Sequence, residues 1–307
     1  MKKFFIALSI ITLFLLILLS IYNFSNHSKD KKVSNTPSIA TKEDISSSSE
    51  SASISEPSTI DEPIIKAETP IYNILGTAQK PTVYPNTAMK QWRESSVSLA
   101  SNYRGSLFIN GPSDKNTVAL TFDDGPDGVN TPKILKILKD NNVHATFFCI
   151  GSYIQRNRTT VLNAFNDGNV IASHSWSHKD FTKLSRASMD EEMSKTEQQI
   201  YDVIGKKPAF VRPPYGAVNA TVQDALIADG YKSVLWSIDT LDWAQKDVNN
   251  IVNNVMSNIR PGEIILMHCD GDKATTAEAL PIIIQKLKAL DYSFVTVDEM
   301  AAAPAYK

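Results

Sequence analysis

Residues 118–126 read VALTFDDGP, so two adjacent carboxylates follow directly on a run of apolar residues. The run Val118–Phe122 predicts a buried β-strand, because it is short, apolar and bounded by turn-forming residues. Thr131 and Pro132 follow shortly afterwards and predict the start of a helix, with Thr131 as its cap and Pro132 in its first turn. A strand, a polar strand end and a helix in this order are typical of one unit of an α/β fold.

The same unit recurs along the rest of the chain. With the first strand, seven strands are predicted: Val118–Phe122, Ala145–Ile150, Val170–Ser173, Phe210–Val211, Val234–Ile238, Ile264–Met267 and Ser293–Val297. Helices are predicted near 219–229, 247–259 and 276–289, and a longer helix begins at a capping box, Ser188–Glu191. Strands that alternate with helices predict a parallel sheet, and seven such units predict a barrel. Catalytic residues in such a barrel lie at the carboxyl ends of the strands.

Polar residues gather at five of the predicted strand ends. They are Asp123 and Asp124, His174–His178, Arg212–Gly216, Asp239–Trp243, and His268. His174 and His178 are four residues apart, and one helical turn between them would put both imidazoles on one face. Two histidines with one of the paired aspartates form a common catalytic zinc site with an open position. The spacing alone is also typical of an incidental histidine pair, so the prediction depends on the neighbouring aspartates.

Three other residues at these ends have two interpretations each. Arg212 is either structural or a cation that reaches a carboxylate at the barrel mouth and keeps it ionised as a base. His268 is either a core histidine or a general acid, and Asp242 is placed to bond its second ring nitrogen. Trp243 is either a core residue or one wall of a small apolar pocket.

These segments, in this order, resemble the NodB-type polysaccharide deacetylases, carbohydrate esterase family 4. The motifs of that family are TFDDGP, H[ST]xxH, RxPY, DxxDW and LxH. They are intact here at Thr121–Pro126, His174–His178, Arg212–Tyr215, Asp239–Trp243 and Leu266–His268. The resemblance covers roughly residues 111–300 and implies a distorted (β/α)7 barrel. This fold agrees with the seven predicted strands.

The resemblance also implies a metal and a base. Asp124, His174 and His178 are implied to hold a divalent metal, usually zinc. Asp123 is implied to be the general base, and Arg212 is implied to orient it. The family therefore implies a metal-dependent hydrolase.

The remaining roles implied by the resemblance concern the leaving group and the acetyl group. His268 is implied to be the general acid, supported by Asp242. The backbone amide of Tyr215 is implied to stabilise the oxyanion, and Trp243 and Leu266 are implied to line the acetyl pocket. One departure is Cys269, because family members often carry Asp or another small polar residue directly after the motif histidine; here Asp270 comes one place later.

The N-terminal third has a different composition. Residues 4–21 contain no charged residue, and Lys2 and Lys3 precede them, so residues 1–23 predict a signal anchor with a cytoplasmic N-terminus. A cleaved signal peptide is the alternative, and three lysines just beyond the span (Lys29, Lys31, Lys32) weaken the orientation bias. Residues 24–70 are rich in Ser and predict a disordered tether, residues 71–110 an extension, and residues 111–307 the catalytic domain.

Overall composition excludes several classes of protein. The net charge is −2, which gives no basic excess for nucleic acid. Only Cys149 and Cys269 are present, so the chain is not a disulfide scaffold, and both cysteines are predicted to be buried. No HExxH sequence of a zinc protease occurs, and a glycosidase with two carboxylates would not need the histidine pair.

The expected function is hydrolytic N-deacetylation of an N-acetylated polysaccharide at the outer face of the cell membrane, or outside the cell after signal cleavage. Peptidoglycan N-acetylglucosamine is the favoured substrate, because a membrane tether favours the cell's own wall; N-acetylmuramic acid stays open. Chitooligosaccharide, an exopolysaccharide and acetylated xylan are alternatives within the family. A catalytically silent cell-wall-binding domain is the alternative from another class.

Overall fold

A curled parallel β-sheet forms the centre of the fold. The computed structural model describes residues 69–307, all of which lie within one compact unit. The predicted anchor and all but the last two residues of the predicted tether lie outside this range. Among the helices of residues 69–307, none is long and apolar enough to cross a membrane.

Within residues 69–307, nine strands make up the sheet, and every pair of neighbouring strands is parallel. They are β1 (Leu107–Phe108), β2 (Thr117–Asp123), β3 (Thr146–Cys149), β4 (Val170–Ser173), β5 (Phe210–Val211), β6 (Lys232–Val234), β7 (Ile238–Asp239), β8 (Glu263–His268) and β9 (Ser293–Phe294). Their order in the sheet is β1-β6-β5-β4-β3-β2-β8-β7, and β9 pairs with β2. The predicted α/β class and parallel sheet are therefore confirmed.

Helices connect the strands, as the alternating pattern predicts. They are α1 (Asn86–Asn102), α2 (Asn130–Asp140), α3 (Gly151–Ile154), α4 (Arg158–Asn166), α5 (Arg186–Ile204), α6 (Ala220–Ala228), α7 (Val248–Met256), α8 (Ala274–Ala289) and α9 (Val297–Ala301). Short 3-10 turns occur at Gln155–Asn157, Phe181–Lys183 and Pro214–Gly216.

The predicted strand Val234–Ile238 is two short strands in the structure. β6 pairs with β5, whereas β7 pairs with β8 at the other end of the sheet. Only three residues separate β6 from β7, although these two strands lie toward opposite ends of the strand order. The sheet therefore curls to bring the two ends together. The interruption has a physical cause: the carbonyls of Val234 and Leu235 accept hydrogen bonds from the Arg212 guanidinium.

Two predicted helix caps are wrong. α2 begins at Asn130, and the Asp127 carboxylate accepts the backbone N–H groups at its start, including that of Thr131. The Thr131 hydroxyl instead donates to the Cys269 carbonyl. In α5 the cap is Ser185, whose hydroxyl accepts the N–H of Ser188, so the helix begins before the predicted capping box.

The extension before β2 packs into the core of the same unit. Side chains of β2 alternate between two apolar clusters: Val118, Leu120 and Phe122 lie in one, and Ala119 lies in the other. A strand buried on both faces is typical of a parallel sheet. Ile74, Ala100, Leu107 and Ile109 from the extension are buried in the second cluster. The extension therefore contributes to the core beneath the candidate site.

We expect a chain that starts at residue 69 to be soluble and cooperatively folded, and a chain that starts at residue 111 to be largely unfolded. The shorter chain lacks Ile74, Leu107 and Ile109, which are 3%, 1% and 0% exposed. Truncation of one such side chain costs about 2–5 kcal/mol, against a total stability of about 5–15 kcal/mol. Thermal unfolding followed by circular dichroism makes the comparison. Equal melting temperatures for the two chains would contradict the assignment of the extension to the core.

Candidate active site at the carboxyl ends of the strands

The carboxyl ends of β2, β4, β5, β7 and β8 surround one cavity of about 970 Å³. Most of the residues predicted for the site line this cavity: Asp123, Asp124, His174, His178, Tyr215, Trp243, Leu266 and His268. The other two, Arg212 and Asp242, are fully buried next to residues that line it. The sheet therefore brings all ten predicted residues to one place.

Asp124, His174 and His178 form a group that can hold a metal ion. Their candidate ligand atoms all lie within 4.8 Å of one another. Asp124 Oδ1 is 3.4 Å from His174 Nε2 and 3.1 Å from His178 Nε2. This oxygen is buried and accepts no well-formed hydrogen bond from any residue in the described part of the chain. A buried, unpartnered carboxylate oxygen between two imidazole nitrogens fits a cation.

The backbone sets the ring nitrogen that His174 presents. Its Nδ1 is 2.7 Å from the Arg212 carbonyl, and a carbonyl can only accept, so Nδ1 carries the hydrogen. In the neutral ring Nε2 is then left with its lone pair directed at Asp124. An outer partner of this kind fixes the tautomer of metal-binding histidines.

The segment from His174 to His178 is not the helical turn that the spacing predicts. Ser175 and His178 have φ values of 65° and 58°, in the left-handed region, and no helix covers the segment. The Ser175 hydroxyl accepts the N–H of His178 and closes the turn. The two rings still meet, with centroids 4.9 Å apart, because the irregular turn reverses the chain.

Charges in the group shift the pKa of two of its members. Burial raises the pKa of Asp124, but the imidazoles beside it and the charge of His268 hold that pKa well below its ordinary value. Burial lowers the pKa of His174, but the charges of Asp123 and Asp124 raise it above its ordinary value overall. A metal bound here would compete with a proton at His174, so its affinity would rise with pH.

Asp123 lies beside this group but faces a different partner. Its Oδ1 accepts a hydrogen bond of 2.7 Å from Arg212 Nη1, while its Oδ2 lies 3.8 Å from His174 Nε2. The adjacent Asp124 has a φ of 68°, which turns the chain so that the two carboxylates point differently. The Asp123 carboxylate is thereby held by the Arg212 cation, and the Asp124 carboxylate is left free to bind a metal.

Arg212 is completely buried, and its side chain is held on all sides. Nε donates to the Val234 carbonyl, Nη2 to the Leu235 carbonyl and Nη1 to both Thr121 Oγ1 and Asp123 Oδ1. Its guanidinium carbon lies 4.2 Å from the centroid of the Phe148 ring. Burial lowers the pKa of Arg212, and Asp123 counters this by stabilising the charge.

His268 and Asp242 form a second charged pair at the same cavity. The Asp242 carboxylate accepts the His268 Nδ1–H at 2.7 Å, the His268 backbone N–H at 2.8 Å and the Thr276 hydroxyl at 2.7 Å. Burial lowers the pKa of His268, but the charge and hydrogen bond of Asp242, with Asp124 and Asp123, raise it to about 10. His268 is therefore protonated at neutral pH, with Nε2 as a proton donor.

The strand register places the two pairs side by side. Asp123 and His268 are partners at the ends of the neighbouring strands β2 and β8. Leu266, also on β8, is buried and lines the cavity floor. Trp243 donates from Nε1 to Asp239 Oδ1, and Tyr215 is half exposed in a strained turn with a φ of 61°. The residues predicted to bind the acetyl group thus line the same cavity as the predicted base and the predicted acid.

Sequence reasoning missed several residues of this site. Thr276 on α8 bonds Asp242, but a threonine inside a helical pattern gives no signal of this contact. Tyr84, Trp92 and Arg93 from the extension also line the cavity. These three residues belong to no motif, so the sequence carries no signal that they line the cavity.

The fold and this set of side chains are those of the polysaccharide deacetylase class. The chain belongs to the polysaccharide deacetylase family, whose sequence model matches residues 110–234. A peptidoglycan-N-acetylglucosamine deacetylase of Bacillus cereus is 39% identical over 194 residues, which are 62% of this chain and 70% of that protein.

Two further comparisons agree. The peptidoglycan-N-acetylglucosamine deacetylase PgdA of Listeria monocytogenes is 40% identical over 183 residues, which are 60% of this chain. The match spans only 38% of the length of PgdA. A crystal structure of a peptidoglycan N-acetylglucosamine deacetylase with bound 4-naphthalen-1-yl-N-oxidanyl-benzamide has a TM-score of 0.65 and 35% identity. It covers 68% of this chain and 98% of its own.

We expect His178→Ala to lose metal. Two ligands would remain of three, so the affinity should fall by more than the roughly 10–100-fold typical of changes outside the ligand shell. Metal content after purification with zinc measures this, and His144→Ala, an exposed histidine away from the cluster, is the matched control. Equal zinc content in the two variants would rule out His178 as a ligand.

We expect Asp242→Asn to lower the pKa of His268 from about 10 toward the ordinary value of 6.5, because the negative charge that stabilises the imidazolium is removed. His268 would then lose its proton at a lower pH. An NMR titration of the ring measures the pKa. Thr276→Val, which removes a hydrogen bond to Asp242 but no charge, should shift the pKa much less. An unchanged pKa in Asp242→Asn would show that the pair is not coupled.

Proposed function

We propose that this protein is a divalent-metal-dependent deacetylase that hydrolyses the acetamido group of peptidoglycan N-acetylglucosamine. One observation carries the proposal: a metal-binding group, an arginine-held carboxylate and a protonated histidine meet in one cavity. Amide hydrolysis needs these three functions together, because the carbonyl must be polarised, water deprotonated and the amine protonated.

Asp124, His174 and His178 would hold the metal, and zinc is the ion we propose. Their donor atoms suit it, since one carboxylate oxygen and two imidazole nitrogens with an open position are a common catalytic zinc set. When bound, the metal supplies Lewis-acid activation of water and of the acetyl carbonyl.

Asp123 would act as the general base and take the proton of the attacking water on Oδ2. Arg212 occupies Oδ1 and so leaves Oδ2 as the oxygen that faces the cavity. The buried guanidinium also fixes the position of this carboxylate through the 2.7 Å hydrogen bond. This arrangement positions the base without making it a metal ligand.

His268 would act as the general acid and give the Nε2 proton to the departing amine. Asp242 fixes the ring through Nδ1 and keeps it protonated. An amine leaves poorly unless it is protonated, so this step is as necessary as attack. The backbone N–H of Tyr215 would stabilise the oxyanion, while Trp243 and Leu266 would enclose the methyl of the acetyl group.

The proposed substrate follows from the relatives. Proteins named peptidoglycan-N-acetylglucosamine deacetylase are 39–40% identical to this chain over 60–62% of its length. Residues 1–23 would anchor the chain as a transmembrane helix, with residues 24–70 as a tether and the distorted (β/α)7 barrel outside the cell. The alternative substrates are N-acetylmuramic acid, chitooligosaccharide, an exopolysaccharide and acetylated xylan. Both catalytic pairs are complete here, which favours an enzyme over a silent cell-wall-binding domain.

Acetate release from peptidoglycan, chitin oligomers and acetylated xylan, measured side by side, tests the proposal. We expect release from peptidoglycan to be fastest and to stop when a chelator removes the metal. Asp123→Asn should keep the metal and lose turnover by about 10²–10⁴-fold, the contribution typical of a positioned base. Asp124→Asn should lose the metal as well. No chelator-sensitive release from any of the three substrates would refute the proposed function.

A further inference from the structure

Two consecutive residues of α1 connect the extension to two different loops of the candidate active site. From their contacts we infer that Trp92 and Arg93 are positioning residues: Trp92 holds the turn that carries Tyr215, and Arg93 holds the loop that carries Trp243. The inference deepens the proposed function and rests on it, because it assigns part of the acetyl-binding apparatus to residues outside the five family motifs. The extension is then a component of the active site.

Trp92 bears directly on the turn Pro214–Gly216. Its Nε1 donates to the Gly216 carbonyl at 3.1 Å, and its ring lies on Trp236 with centroids 5.1 Å apart. The fit is close, since a Cβ on Gly216 would lie 2.5 Å from the Trp92 ring. Tyr215 within this turn has a φ of 61°, and such a conformation persists only where the surroundings enforce it. Trp92 is one of the groups that enforce it.

Arg93 points to the other side, at the end of β7. Its Nη1 donates to the Gly76 carbonyl at 2.9 Å, and its Nη2 lies 3.8 Å from Asp239 Oδ2. Asp239 is buried, and its Oδ1 accepts both the Leu241 N–H and the Trp243 Nε1–H. Asp239 therefore connects the charge of Arg93 to Trp243, the side chain that would wall the acetyl pocket.

A second part of the extension closes around the same aspartate. Leu75 pairs with β7, accepting the Asp239 N–H at 2.8 Å, and donates to the Ser237 carbonyl at 2.8 Å. Gly76 follows with a φ of 147°, and a Cβ there would lie 2.2 Å from the Asp239 carbonyl oxygen. Only glycine fits at this approach. The loop with Asp239 is thus held by backbone on one side and by Arg93 on the other.

The position of α1 also makes the extension a wall of the cavity. Tyr84, Met89, Trp92 and Arg93 line it together with the histidines and Tyr215. Tyr84 meets the Trp243 ring edge to face, with centroids 5.9 Å apart. A substrate in the cavity would contact both the motif residues and the extension, so displacement of α1 would alter the pocket and the turn together.

The test uses the full 307-residue chain and two measurements on Trp92→Ala, Trp92→Phe and Arg93→Gln. Hydrogen exchange measures the local stability of residues 211–218 and 238–244 without requiring turnover. The kinetics of acetate release give kcat and KM separately. Lys90→Ala, an exposed residue of the same helix whose only described ion pair is with Glu94, is the matched control.

We expect Trp92→Ala to raise exchange in residues 211–218 by about tenfold, the equivalent of one hydrogen bond, and to lower kcat by up to about 10²-fold, since small displacements of positioning groups have effects of this size. Trp92→Phe keeps the stacking, and its kcat should fall by about threefold to tenfold. Arg93→Gln should raise exchange in residues 238–244 but not in residues 211–218. In all three, zinc content and the melting temperature should stay near those of Lys90→Ala.

Two results would overturn the inference. In one, exchange and kcat in the Trp92 and Arg93 variants match those of Lys90→Ala. In the other, exchange rises evenly over the whole domain with a lower melting temperature, which indicates a general structural role. If the unmodified chain releases no acetate from any glycan, the proposed function fails, and the exchange measurement still decides whether α1 positions the two loops.

Discussion

The buried guanidinium of Arg212 is the group on which the rest of the site depends. It bonds the Asp123 carboxylate, the Thr121 hydroxyl on β2 and two carbonyls at the end of β6, those of Val234 and Leu235. The backbone carbonyl of Arg212 fixes the tautomer of His174. A buried ion pair gives little net stability, but loss of one partner costs about 3–5 kcal/mol because a charge is left without compensation. The same residue therefore sets the geometry of the base, of a candidate metal ligand and of the break between two strands.

This arrangement separates two carboxylates that are adjacent in the chain. Asp123 is committed to a fixed cation, and Asp124, turned by its positive φ, keeps an oxygen free between two imidazoles. At the end of the neighbouring strand β8, Asp242 bonds His268 and raises its pKa. The proposed base and the proposed acid thus lie in different electrostatic environments, which is the general way in which one site can perform both proton transfers.

Much of the fold and most of the site follow from local sequence pattern. The strand ends that carry Asp123, His174 and His268 were predicted because short apolar runs end in polar residues, and a parallel sheet brings such ends together. The strand at 234–238 was predicted as continuous because Arg212, which interrupts it, is distant in sequence. The prediction of a helical turn between the histidines was wrong, because their spacing does not reveal the left-handed φ values of Ser175 and His178. Trp92, Arg93 and Thr276 were missed because their contacts are long-range and belong to no motif.

The most direct test of this account is a high-resolution crystal structure of the zinc-loaded protein with acetate bound. We expect zinc on Asp124, His174 and His178, Asp123 Oδ1 still on Arg212, and the acetate methyl between Trp243 and Leu266. Zinc bound through Asp123, or Arg212 separated from that carboxylate, would contradict the assignment of Asp123 as the base and Asp124 as the metal ligand.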